Sequence, residues 1–121
     1  MGLPYENLKV GEEILGLINK VYQCSNSFPD HEHFGLTSQL RRASVSVYLN
    51  LAEGATRRGR KDFARFINVS VGSLIETHAC LKIATRRKYI MQPAYQEFDE
   101  EITRIWRRLW SLYHSINPVA S

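Results

Sequence analysis

The sequence predicts an all-α protein, an antiparallel, up-down-up-down four-helix bundle forming a single domain over residues 1–121. Three observations predict it. Four segments repeat apolar residues at helical spacing, none keeps up strand alternation, and the links between them are short. Hydrophobic content of 44% and charged content of 23% are those of an ordinary globular chain, which argues against disorder and fibrous repeats.

The helices are expected over about 8–27, 38–55, 60–86 and 93–116. In the first, Ile14, Ile18 and Val21 make one stripe, widened by Leu15 and Tyr22, and Phe28-Pro29 closes it. A polar link, Asp30-His31-Glu32-His33, leads to Gly35. The second opens at Thr37 or Ser38, either of which can cap free backbone N–H groups, and ends at Gly54. Leu40, Ala43, Val47 and Leu51 face one way, while Ser44, Ser46, Asn50 and Ala52 keep much of the remaining surface small, suited to packing on more than one side.

A basic turn, Arg57-Arg58-Gly59-Arg60-Lys61, enters the third helix, with Gly59 as a permissible cap and Asp62 favouring the positive end of the helix dipole. Phe63, Phe66, Ile67, Ser70, Leu74, Thr77, Leu81 and Ala84 recur at three and four, and Val71, Ile75 and His78 form a second stripe. Pro93 suits a first helical position. In the fourth helix Phe98, Ile102, Ile105, Leu109, Leu112 and Ile116 form a coiled-coil-like seam, and Asn117-Pro118 stops it.

A bundle needs one apolar stripe per helix, and this chain offers more. Trp106, Trp110 and Tyr113 lie beside the seam. With Val71 and Ile75 they are the candidate oligomer interface. The alternative is that the aromatics only widen the core stripe.

Charge is uneven. Residues 1–35 hold two Lys against five acids, net −3; residues 36–90 hold eleven Lys and Arg against three acids, net +8; residues 91–121 hold three Arg against four acids, net −1. The excess concentrates at Arg41, Arg42, Arg57, Arg58, Arg60, Lys61 and Arg65, the candidate nucleic-acid-binding residues, and again at Arg86, Arg87 and Lys88. Arginine forks bind phosphate bidentately and helix N-termini add N–H donors. Against this stands a solvated basic surface, since cations are favoured at helix C-termini in any case.

Catalytic patterns are missing. There are no paired Glu-x-x-His motifs, no Gly-rich phosphate loop and no nucleophile elbow. His31 and His33 with their neighbouring acids could hold a metal only weakly, and a flexible polar loop is the plainer reading. No enzyme activity, cofactor or metal is expected. Asn50, Glu53, Ser73 and Glu76 are read as a polar lock between the second and third helices or across subunits, in preference to a catalytic carboxylate pair. Cys24 and Cys80 share no metal or redox spacing, and neither a signal peptide nor an apolar run long enough to span a bilayer is visible. The expectation is a cytoplasmic protein with no membrane contact.

Several short motifs carry a resemblance across nearly the whole chain. Phe28-Pro29, Glu32, Gly35-Leu36-Thr37 and Gln39-Leu40-Arg41-Arg42-Ala43 resemble the first half of the four-helix bundle proteins of the bacterial 23S rRNA intervening-sequence family. Asn50-Leu51-Ala52-Glu53-Gly54 looks like that family's Asn-Ile-Ala-Glu-Gly signature, and Phe63, Phe66 and Gly72-Ser73-Leu74-Ile75-Glu76 look like its third-helix pattern. One departure is Gly59 and Asp62, where the family commonly has Ser and Glu, which weakens a capping box. The resemblance implies a homopentameric ring around a channel. It also implies a fold similar to the accessory protein of diversity-generating retroelements, a basic pentamer that engages nucleic acid and a reverse transcriptase. Expected partners are therefore further copies of the chain, then RNA or other nucleic acid. The alternative is a scaffold recruiting a protein partner, with no nucleic-acid role.

Overall fold

The computed structural model describes residues 2–57 and 59–116. The Arg58 and Asn117-Pro118 readings lie outside the described residues. Four helices, α1 (Lys9–Ser25), α2 (Leu36–Ala55), α3 (Arg60–Arg86) and α4 (Gln92–Ile116), pack around a shared apolar core, with short 3-10 turns at Pro4–Asn7 and Asp30–Glu32. The described residues contain no strand. Each helix packs on two others, α1 on α2 and α4, and α3 on α2 and α4, with the largest interface between α2 and α3.

The α1 stripe is Val10, Ile14, Leu17 and Val21, all buried and stepping by 4, 3 and 4. Leu17 takes the place expected of Ile18, which is half-buried, and Leu15 and Tyr22 are exposed. Residues 14, 17, 21 and residues 14, 18, 21 both alternate between three and four; residue 18 stands about 100° past residue 17, and packing against α2 and α4 buries Leu17. Tyr22 instead lies beneath the Arg41 guanidinium, 4.7 Å from its ring centre. The helix stops at Ser25 because the chain tightens into i→i+3 bonds, Ser27 N–H to the Cys24 carbonyl and Phe28 N–H to that of Ser25. Phe28 then turns into the core against Tyr89, ring centres 5.4 Å apart.

Neither Thr37 nor Ser38 caps α2. The helix begins at Leu36, and its first N–H donates to Glu32 Oε1 at 3.0 Å, while Thr37 is buried within the first turn. A Cβ on Gly35 would lie 2.8 Å from that same oxygen, so the carboxylate reaches the helix end through space that only glycine leaves open. Glu32 Oε2 also accepts the Tyr89 hydroxyl at 2.9 Å, tying this junction to the segment after α3. The Leu36 N–H, then the Tyr89 hydroxyl, hold the Glu32 carboxyl below its ordinary range.

A depressed folded-state pKa contributes stability above the unfolded value, ordinarily about 4.3 for Glu, which is lost as pH falls through the lower folded value. Glu32→Gln removes the charge while its Oε1 still accepts the Leu36 N–H and its Nε2 donates to the Tyr89 hydroxyl in place of accepting from it. Urea unfolding at pH 7 and pH 4 is therefore expected to show a smaller acid-induced loss of stability in the variant than in the parent. An unchanged loss would count against this role.

The α3 helix ends with Tyr89 N–H bonded to the Ala84 carbonyl at 2.8 Å and Lys88 N–H to that of Thr85 at 3.0 Å. Lys88 stands at φ 67°, the left-handed position of a Schellman cap. In α4, Phe98, Ile102, Ile105 and Leu109 are buried, and Leu112 and Ile116 pack at the core's edge.

Small residues bring α2 and α3 together. Ser44, Ser70 and Thr77 are fully buried, and Ser70 Oγ donates to the Val47 carbonyl at 2.6 Å. At the α2 end, a Cβ on Gly54 would sit 2.7 Å from Phe66 Cβ and 3.0 Å from Phe63 Cδ1. Polar ties join the other helices. Glu13 meets Arg104 and Arg108 at 3.3 and 3.0 Å, Lys20 meets the buried Glu101 at 2.8 Å, and His78 meets Asp99 at 2.7 Å with the Tyr95 hydroxyl 3.3 Å away.

Candidate nucleic-acid interface

The close approach at Gly54 decides how the basic turn is presented. With no side chain there, Phe66 seats against the end of α2. Arg57 and Arg65 then lay their guanidinium groups over the Phe66 ring, 4.9 and 4.5 Å from its centre. Each is also paired with an acid on its own side of the turn, Arg57 with Glu53 and Arg65 with Asp62 at 3.5 Å. Arg60 and Lys61 are exposed between them and form no ion pair among the described residues. Among the described residues no side chain caps α3 at Gly59, so its first-turn N–H groups lie at the same surface. Two seated, acid-paired cations and two unpaired ones thus stand around the α3 N-terminus, chemistry suited to an anion.

The candidate residues do not form one surface. Arg41 and Arg42 lie near the start of α2 and Arg57 just beyond its end, about 20 Å apart along the helix. Arg41 is committed to structure. Its Nε donates to Ser25 Oγ at 2.8 Å, and its Nη2 reaches Asn26 Oδ1 at 3.0 Å and the Tyr22 carbonyl at 3.4 Å. Arg42 is exposed beside Val45 and Leu49. The two arginines share an end of the molecule with Arg86, Arg87 and Lys88, since the segment after α3 is bonded to Glu32. There are thus two basic poles. Phe66, which the sequence presents only as part of the α3 stripe, is the seat of one of them; its spacing from Arg57 and Arg65 is the signal that could have found it.

The family model for the 23S rRNA-intervening sequence protein matches residues 6–111. The chain belongs to that family. A crystal structure of a protein of unknown function from the S23 ribosomal protein family of Bacteroides thetaiotaomicron is similar in fold. It is 22% identical over 86% of this chain and 97% of that one, with a TM-score of 0.79. No curated protein matches the chain. No enzymatic activity attaches to the 23S rRNA-intervening sequence family model or to the similar structure.

The family-like motifs have identifiable work inside the protomer. Glu32 and Gly35 build the α2 N-terminus, and Gly54 admits Phe66. Of the polar-lock residues, Asn50 and Ser73 meet Ser46 within the protomer. Ser73 Oγ meets Ser46 Oγ at 2.8 Å across α2 and α3, and Asn50 Nδ2 donates to the Ser46 hydroxyl and carbonyl, both at 2.9 Å. Glu53 and Glu76 are exposed and take no part in these contacts within the protomer. Gly72 faces open space, with nothing within 4 Å of an added Cβ.

The candidate oligomer residues also divide. Val71 is buried within its own chain because it packs into the shared core, so it offers little to a partner. Ile75 and Trp106 are 52% and 39% exposed and line one groove with His78 and Asp99. Trp110 and Tyr113 are half-buried against the core, in an edge-to-face ladder with Trp106. Among the described residues no three His, Cys, Asp or Glu side chains gather as metal ligands, and no helix is long and apolar enough to cross a membrane.

Proposed function

We propose that the chain is a non-enzymatic, oligomeric RNA-binding bundle of the cytoplasm, engaging RNA or other nucleic acid through its basic surface. The observation carrying this reading is the α2–α3 junction, where Arg60 and Lys61 flank an uncapped helix end and Arg57 and Arg65 are seated on Phe66. Family membership supports it, since the family's name ties it to 23S rRNA. Contacts of this kind go to the phosphate backbone, depend on salt and carry little sequence information.

Within this reading the helices run up-down-up-down. Supporting pairs occur in opposite chain order, Glu13 with Arg108 and Lys20 with Glu101 across α1 and α4, and Ser46 with Ser73 and Gly54 with Phe66 across α2 and α3. The assembly is a homopentameric ring, with Ile75 and Trp106 the two candidate interface residues exposed to a neighbouring copy. The same exposed residues favour the second reading, a scaffold for a protein partner.

Fluorescence anisotropy with a structured RNA at two salt concentrations tests the proposal. Replacing Arg60 and Lys61 by Ala is expected to weaken binding about tenfold at low salt and to lower the salt slope by about one unit per residue removed. Absence of low-salt binding, or indifference to the substitutions, sinks the RNA reading. A pull-down recovering a stoichiometric protein after nuclease treatment would then favour the scaffold.

A further inference from the structure

At the pole opposite Arg60 a cavity of about 230 Å³ opens between the end of α1 and the start of α2. Its polar groups are unusually mixed in sign. Arg41 is held rigidly by Ser25, Asn26 and Tyr22 through Nε and Nη2, while its Nη1 has no acceptor among the described residues. The Asp30 carboxylate lines the same cavity, exposed and in no ion pair among the described residues. Thr37 also lines it, only 6% exposed, and its hydroxyl makes no hydrogen bond among the described residues. Phe28 and Pro29 supply apolar wall.

A bare phosphate is a poor match. Asp30 opposes it, and Glu32 already occupies the α2 N-terminus. A flat, neutral ligand with donors on one edge and acceptors on another fits better, because it satisfies the carboxylate and the guanidinium together. We propose that this cavity takes an unpaired guanine base. The paired N1–H and N2–H groups would donate to Asp30, and O6 and N7 would accept from Arg41 and its neighbours. Adenine presents a donor where guanine has O6, and the pyrimidines lack the two parallel donors beside a Hoogsteen edge. Single-stranded RNA offers such splayed bases. The inference rests on the RNA reading above and narrows it to unpaired guanine.

The test uses free nucleotides, so it does not depend on RNA binding. 5′-GMP titrated into the intact protein and followed by amide NMR is expected to shift the Thr37 and Ser38 signals and to bind about tenfold more tightly than AMP, CMP or UMP. Asp30→Asn, at an exposed position, is expected to abolish that preference while the helical circular dichroism stays unchanged. Thr37→Val is expected to weaken GMP severalfold. Equal binding of all four nucleotides, no shift at millimolar GMP, or displacement by a free α-amino acid would overturn the guanine site. GMP selectivity without any RNA affinity would support the cavity and overturn the RNA reading alone.

Discussion

Gly54→Ala is expected to destabilise the protein by about 2 kcal/mol and to lower Tm by roughly 8 °C. Two effects oppose each other. Alanine favours an interior helical position over glycine by about 1 kcal/mol, which taken alone predicts stabilisation. Against it, the new methyl would stand 2.7 Å from Phe66 Cβ, an atom fixed to the α3 backbone that no rotamer change can move. The helices must separate, and overpacking of this kind costs about 1–3 kcal/mol. Separation also stretches the hydrogen bond from Ser70 Oγ to the Val47 carbonyl, which adds to that cost. Gly72→Ala supplies the control. Its site is open, so propensity acts alone, and a gain of about 0.5–1 kcal/mol is expected. Thermal melts of the two variants should move in opposite directions; a stabilised Gly54→Ala would show that α2 and α3 do not approach as described.

Arg41→Ala is expected to cost about 2 kcal/mol, whereas Arg42→Ala should stay within about 0.5 kcal/mol of the parent. The neighbours differ in what they touch. Arg41 closes three hydrogen bonds onto the end of α1 and covers Tyr22, so its removal takes the charged donor from the buried Ser25 Oγ and uncovers the Tyr22 ring. Charged hydrogen bonds of this sort contribute about 1.5–3 kcal/mol. Arg41→Lys should recover little, since an ammonium lacks the planar fork that reaches all three acceptors. Urea unfolding of the three variants checks this. Equal stability of the Arg41 and Arg42 variants would return Arg41 to the group of solvated cations.

These two residues show where the sequence is informative and where it is not. The helical period of α2 and α4 exposes their cores directly, because Leu40, Val47 and Leu51, or Phe98, Ile102 and Ile105, are large apolar side chains at unambiguous spacing. On α1 the period admits both Leu17 and Ile18, and only packing against the other helices selects between them. The cap of α2 escapes the sequence because its acceptor lies four residues before the helix, on a turn that periodicity does not describe. Charge counting finds the basic segment but treats its members alike. Whether an arginine is free depends on Ser25, Asn26 or Phe66, residues that one-dimensional charge does not weigh.

The separation of the two basic poles also sets a length scale. About 40 Å along α3 from Arg60 to Arg86 corresponds to roughly twelve stacked nucleotides at about 3.4 Å each. A shorter strand can meet Arg60 and Lys61 or the Arg86–Lys88 group, but not both, while a longer one can lie along the bundle and touch each. For a ligand made of nucleotides, the length of the third helix acts as a ruler.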